Sequence, residues 1–235
     1  RDRSYYGKNE LHVGKSSLID LAKINCDVVI SGIIGMSGLY PAFAALSIGN
    51  NLAIANKETL VSAGKIFMEK SHEKNVKILP VDSEHSAIFQ CLEKNNINNV
   101  DFITLTASGG PFLNMPIENF KNIKPKDAIK HPVWKMGKKI SVDSATMFNK
   151  ALEIIEASVL FNMKSDKIEV TVHPEHIIHG LVHYKDGSIL ANLGFPDMIT
   201  PLSVAINWPD RIDLNLKKLS LNNICLLYTS DAADD

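Results

Sequence analysis

Asp82-Ser83-Glu84 and the run from His131 to Glu156, HPVWKMGKKISVDSATMFNKALEIIE, concentrate the side chains of this chain that could do chemistry. Asp82 and Glu84 follow an apolar stretch that reads as a buried strand. If the strand continues through them, both carboxylates point to one side, because side chains alternate with period two. Oxygen donors so placed favour Mg²⁺ or Mn²⁺ over zinc. The plainer reading is that Asp82 or Ser83 caps the next helix, whose first turn suits acids. Both readings hold together if one carboxylate caps while the other binds. Asn149, Lys150 and Glu153 are spaced four and three apart, which brings them to one helix face. A Lys–Glu pair at that spacing is most often solvated decoration. Ser144, near the expected start of a helix with free backbone N–H groups and a lysine close by, makes instead an anion pocket that phosphate would fill. Ser108, before Gly109-Gly110, is placed to complete it.

Other features leave alternatives open. His131 precedes Pro132, and Trp134 and Met136 lie between Pro132 and Gly137. Trp134 either packs into the core or belongs to a lid that shields a substrate from water. His173, His176, His179 and His183 would align as zinc ligands on a helix, yet Val170-Thr171-Val172 and Ile177-Ile178 favour strand, where these offsets share no face. They read as core or substrate-facing histidines, with a zinc site as the rival. Val13-Gly14-Lys15-Ser16 ends like a phosphate loop but has Asn9 where the leading glycine belongs, and Gly32, Gly35 and Gly38 are spaced GxxGxxG rather than as a dinucleotide fingerprint. That glycine spacing predicts a tight strand-to-helix turn.

The elements that must position these residues alternate. Helix is expected over 16–24, 40–48, 58–73 and 83–94, and strand over 27–31, 51–55, 76–81 and 102–106. Strands alternating with helices predict right-handed crossovers and a mainly parallel sheet. Gly32, Asn56-Lys57, Asp82-Ser83-Glu84 and Ser108 then share the rim at the carboxyl ends of the strands, where such sheets bind ligands. Beyond Pro111 the pattern turns α+β: a polar, proline-punctuated excursion over 116–130, a long amphipathic helix over 144–161, and strands near 177–184 and 188–193 joined by Lys185-Asp186-Gly187, a hairpin signal. The fold class expected is α/β, a partial Rossmann-like parallel sheet (1–110) followed by an α+β catalytic and dimerisation domain (111–224).

Composition narrows the function. At 235 residues, 45% hydrophobic and 22% charged, the chain has ample material for a core. A net charge of −1 gives no global attraction to nucleic acid or an anionic membrane, and no apolar run reaches the roughly 18 residues needed to span a bilayer. Cys26, Cys91 and Cys225 are scattered and odd in number, which reads as reduced thiols. The sequence opens at Arg1 in mid-pattern, so the expectation is that further elements precede it. Residues 225–235, CLLYTSDAADD, read as a non-native tail that resembles translated adapter sequence.

Taken together, NKETLVSAG (Asn56 to Gly64), PVDSEHSAIFQ (Pro80 to Gln90), SGGPF (Ser108 to Phe112), the run from His131 to Ala157 and LGFPDM (Leu193 to Met198) closely resemble the 1-deoxy-D-xylulose 5-phosphate reductoisomerase family, in order, from about Asp27 to Ile212. The resemblance implies a homodimeric enzyme of the non-mevalonate isoprenoid route. It would use NADPH and Mg²⁺ or Mn²⁺ to convert 1-deoxy-D-xylulose 5-phosphate into 2-C-methyl-D-erythritol 4-phosphate. It implies Asp82, Glu84 and Glu153 as metal ligands. Ser83, Ser108, His131, Ser144, Asn149, Lys150, Trp134 and His179 become substrate-binding, and Gly32, Met136 and Met198 cofactor-binding. Lys57, Glu153 and His131 take catalytic roles, with Trp134 and Met136 on a flap. The substrate is a phosphosugar, with no nucleic-acid or membrane partner. A bacterial-type cytoplasmic location is expected, with plastid-type targeting left open. Two departures stand out: Phe195 replaces a usual acid, and the family's glycine-rich first unit and C-terminal helical domain lie outside the sequence. The expectation is an intact metal and substrate half with poor NADPH affinity and weak or no activity. The rivals are a histidine-dependent zinc hydrolase and a phosphosugar-binding fragment without turnover.

Overall fold

A computed structural model describes residues 13–93, 97–129 and 137–220. After α1 (Lys15–Ala22), strand and helix alternate as the sequence predicts: β1 (Val28–Ser31), α2 (Leu39–Ile48), β2 (Asn51–Ile54), α3 (Lys57–Lys74), β3 (Ile78–Pro80) and α4 (Ser83–Cys91). The three strands pair in sequence order and in parallel, Ile30 beside Ala53 and Ala53 beside Leu79. Leu52 and Ile54 pack with Leu46, Leu60 and Phe67 on one face, while Ala53 turns to the other with Leu79 and Ala205 of α8 (Ile199–Asn207). A strand covered on both faces explains why β2 is apolar without alternation.

Turn chemistry ends these helices where they must end. α2 stops at Gly49, whose φ of 98° suits a residue without Cβ. Asn56 caps α3: its side-chain oxygen accepts from the Thr59 N–H at 3.3 Å, and its amide nitrogen donates to the Ile33 and Gly35 carbonyls. The glycine spacing over 32–38 gives the tight turn expected of it. Gly35 has a φ of 70°, and a Cβ on Gly38 would lie 2.8 Å from the Ile33 oxygen.

β4 (Val100–Ala107) departs from expectation. Rather than extending the parallel sheet, it lies inside a second, mixed sheet ordered β5–β4–β6–β7, with β5 (Ile168–Val172) parallel to it, β6 (Ile178–Tyr184) antiparallel to it, and β7 (Ile189–Leu193) antiparallel to β6. Apolar periodicity specifies a strand but not its neighbour. Here Ile88 of α4 is buried with Ile103, Leu105 and Val182, which ties β4 to β6. Gly187, at a φ of 87°, closes the predicted hairpin. The polar excursion holds a short 3₁₀ turn over 117–122 and α5 (Pro125–Ala128).

A single helix over 144–161 is also not what forms. α6 (Lys138–Ala145) and α7 (Phe148–Leu160) are separate, broken by Met147 at a φ of 59°. Thr146 Oγ1 donates back to the Val142 carbonyl at 2.9 Å as the chain leaves α6, and a left-handed residue cannot continue a helix. Ser144 therefore ends a helix instead of starting one, and Asn149 and Lys150 lie in the first turn of α7. That helix is wedged between the two halves: Ala157 packs on the second sheet with Ile103 and Ile168, and Val159 faces Gly64 of α3. No helix among the described residues is long and apolar enough to cross a membrane.

A Cβ on Gly64 would meet the γ-carbons of Val159 at 2.5 and 2.7 Å. Overfilling of this kind costs about 1–3 kcal/mol, against about 1 kcal/mol gained in helix propensity by alanine. Gly64→Ala is expected to lower the melting temperature followed by circular dichroism. An unchanged or higher value would show that α3 and α7 part without penalty.

Candidate active site

Four chain elements deliver the charged groups. Lys57 is the first residue of α3, just beyond β2, and Asp82 precedes α4, just beyond β3. Glu84 sits in the first turn of α4, and Asn149, Lys150 and Glu153 line one face of α7. The β3 strand ends at Pro80, so period-two alternation is not what aligns Asp82 with Glu84. Their closeness comes from the strand-to-helix turn. Asp82 occupies the position before α4 but its side chain makes no capping bond. One oxygen from each of Asp82, Glu84 and Glu153 lies within 4.8 Å of the others.

Two lysines interleave with these acids. Lys57 Nζ lies 2.8 Å from Asp82 Oδ2 and 3.0 Å from Glu153 Oε1, and donates to Asn149 Oδ1 at 2.9 Å. Lys150 Nζ lies 3.1 Å from Glu84 Oε1 and also bonds to Glu153 Oε2 and the Thr106 carbonyl. Asn149 donates to Glu153, and Ser83 Oγ donates to Glu84 Oε2 at 2.6 Å. The electrostatics follow from burial set against pairing. Burial works to lower the Lys57 pKa, yet Asp82, Glu153 and Glu156 together hold it well above the ordinary lysine value, so the ammonium stays charged. Burial likewise opposes the charge on Lys150, and Glu84 and Glu153 outweigh it. Asp82 is held well below the usual carboxylate range because Lys57 and His85 overcome its burial. Glu84 moves the other way, to about 7, through burial and repulsion from Glu153 against the pull of Lys150.

These groups line a cavity of about 280 Å³ that also takes in Ser83, Ser108, Ser144, His179 and Met198. Gly109 and Gly110 bring Ser108 there: both have positive φ, and a Cβ on Gly110 would stand 3.0 Å from the Ser144 carbonyl. Gly32 lines an adjoining cavity of about 240 Å³ that shares Ala55, Lys57, Ile140 and Asn149 with the first. The predicted residues His131, Trp134 and Met136 lie outside the described ones.

The histidine cluster is dispersed. His173 faces Glu175 at 3.1 Å, His183 stacks on Phe102 with centroids 3.9 Å apart, and His179 meets the Gly194 carbonyl at 3.2 Å. Burial lowers the His179 pKa. Among the described residues, the groups placed to hold a metal are Asp82 with Glu84 and Glu153, and Asp82 with His85 and Glu156; none of these four histidines belongs to either. Phe195 lies under Lys217, whose Nζ is 4.8 Å from the ring centre, so an aromatic face attracts the cation there.

Sequence reasoning missed two buried groups. His85 has no exposed surface, and Glu156 is 1% exposed. Their pKa values reach about 9 for His85, where Glu156 and Asp82 outweigh burial, and about 7 for Glu156, chiefly through burial. The available signal was spacing: His85 follows Asp82 by three, and Glu156 follows Glu153 by three, each on one helix face.

Strand-end loops of an α/β fold that focus acids, lysines and hydroxyls into one cleft define an enzyme-type site for a hard cation and an anionic ligand. Two family models match the chain: 1-deoxy-D-xylulose 5-phosphate reductoisomerase over residues 3–64, and the 1-deoxy-D-xylulose 5-phosphate reductoisomerase C-terminal domain over residues 78–161. The chain belongs to the 1-deoxy-D-xylulose 5-phosphate reductoisomerase family. The reductoisomerase of Prosthecochloris aestuarii is 52% identical over 198 residues, covering 84% of this chain and 52% of that protein. That of Geobacter metallireducens is 49% identical over 215 residues, covering 91% and 56%. A crystal structure of DOX-P reductoisomerase with NADPH, fosmidomycin and magnesium superposes with a TM-score of 0.85 at 42% identity, over 90% of this chain and 55% of that one. The Zymomonas mobilis enzyme in complex with NADPH gives 0.83 at 44% identity, over 89% and 54%. The chain spans about half the length of the curated relatives it matches.

Removing one buried partner of a charge cluster costs about 3–5 kcal/mol, because the other charge is left uncompensated. Lys150→Met is expected to destabilise the chain by that amount in urea denaturation. Adding Glu153→Gln should recover part of the loss. Strict additivity of the two substitutions would show that they do not share one network.

Proposed function

We propose that this chain carries the metal- and substrate-binding half of a 1-deoxy-D-xylulose 5-phosphate reductoisomerase. The observation that carries the reading is the meeting of Asp82, Glu84 and Glu153 within 4.8 Å of one another, beside Lys57 and Lys150, in a cleft that also holds Ser108, Ser144 and Asn149. An all-carboxylate donor set fits Mg²⁺ or Mn²⁺ better than zinc. Bound there, the metal would act as a Lewis acid toward the substrate's carbonyl and hydroxyl oxygens. NADPH would supply the hydride, and Gly32 and Met198 are the described residues we assign toward it.

The chain's own groups position the phosphosugar. Ser108, Ser144 and Asn149 offer hydrogen bonds to the phosphate from the rim, and the Lys150 ammonium lends charge from the floor. Lys57, held protonated, donates to oxygens at the reacting end of the sugar and keeps the three acids from repelling one another. His179 walls the cleft from β6. We assign the homodimer contact to the second sheet, whose edge strands expose Val170, Val172, Ile189, Leu190 and Leu193. The rival reading, phosphosugar binding without turnover, is separated by assay.

NADPH absorbance would be followed with 1-deoxy-D-xylulose 5-phosphate and Mn²⁺, in the chain and in a chimera given the remaining length of the Geobacter relative. Turnover in the chimera that Glu153→Gln abolishes is expected. A well-folded chimera without turnover would sink the assignment. Metal binding also makes a pH prediction. Glu84, raised to about 7, must lose its proton before it can ligate, so Mn²⁺ affinity should rise about tenfold per pH unit below that value and level off above it. Electron paramagnetic resonance titrations of the chain from about pH 5.5 to about 8.5 check this; a flat profile would count against Glu84 as a ligand.

A further inference from the structure

His85 joins two of the elements that carry the acids. Its Nδ1 lies 3.0 Å from Asp82 Oδ1, and its Nε2 lies 2.9 Å from the backbone carbonyl of Glu153. Both neighbours are acceptors, so the ring donates from both nitrogens. It is thereby fixed between the start of α4 and the middle of α7. Phe161 covers its face, with centroids 6.3 Å apart and planes 17° apart. The second oxygen of Asp82 is already taken by Lys57 at 2.8 Å. Asp82 is therefore oriented from both sides, and one of those sides is the histidine.

Glu156 stands behind that ring. It lies one turn after Glu153 on α7 and is 1% exposed, and its Oε2 has no hydrogen-bond partner and sits 3.8 Å from His85 Nδ1. A buried carboxylate oxygen without a partner is strongly disfavoured unless a cation faces it, and the group it faces at close range is the doubly donating ring. Glu156 lines neither cavity.

We propose that Glu156 is a positioning residue acting through His85: its carboxylate holds the ring in the orientation that locks Asp82 against the Glu153 turn of α7, and so sets the spacing of the metal-binding acids. The inference rests on the reading of Asp82, Glu84 and Glu153 as the metal site. Groups that orient metal ligands typically contribute about 10–100-fold to metal affinity.

The test titrates Mn²⁺ into the 235-residue chain, with free Mn²⁺ read by electron paramagnetic resonance, so that no turnover is needed. Glu156→Gln, nearly isosteric, is expected to weaken Mn²⁺ about tenfold in a metal-free chain that keeps its folded circular-dichroism spectrum. Glu156→Asp should recover part of the affinity. In a His85→Gln background, Glu156→Gln should cost nothing further, because the path to Asp82 is already cut. Unchanged affinity in Glu156→Gln would overturn the proposal, as would fully additive losses in the double variant. Two Mn²⁺ per chain would also overturn it, since Asp82, His85 and Glu156 would then be ligands of a second ion. Failure of the unsubstituted chain to bind Mn²⁺ would instead remove the metal-site reading beneath it, a result distinct from normal binding that Glu156→Gln leaves untouched.

Discussion

Charge balance in a largely buried cluster is the constraint on which the rest of this structure depends. Asp82, Glu84, Glu153 and Glu156 come together where the strand ends of the parallel sheet meet α7, and Lys57, Lys150 and His85 are buried among them. Each acid alone would be driven toward its neutral form by desolvation. Asp82, with two cations against it, stays well on the charged side, while Glu84 and Glu156 are drawn up to about 7. The same cluster that suits a divalent cation is therefore poised near neutral pH without one.

Apolar packing is what forces these charges together. α7 has a stripe that buries Ala157 against the second sheet and Val159 against Gly64 of α3, and its opposite end carries Asn149, Lys150 and Glu153 toward the strand ends. A close α3–α7 crossing is needed for Lys57 and Glu153 to sit 3.0 Å apart. Hydrophobic contact supplies the stability and polar contact the placement, so a small overfilling at Gly64 reaches the site through a helix and not through any polar bond.

Much of this was legible in the residue pattern. The alternation of strand and helix, the glycine turn over 32–38, the Asp186-Gly187 hairpin and the loops that end in Lys57, Asp82 and Ser108 follow from local preferences that act over a few residues. Three things were not. β4 joins the second sheet because it pairs with β5 and β6, strands that lie far along the sequence from it. The break at Met147 hides inside an amphipathic period that continues on both sides of it. His85 and Glu156 look like ordinary helical residues until burial and α7 bring them face to face.

By itself, then, the sequence determined which residue types stand at which strand ends, and the DSE and NKALE runs that carry the acids, the lysine and the asparagine. Backbone preferences and spacing are local, and they are written in order along the chain. Tertiary structure decided the distances: that Asp82, Glu84 and Glu153 converge within 4.8 Å, that two lysines lie between them, and that a histidine and a fourth acid brace them from behind. Those contacts join residues as much as 96 positions apart, as between Lys57 and Glu153, and only the packing of α7 between α3 and the second sheet brings them within reach.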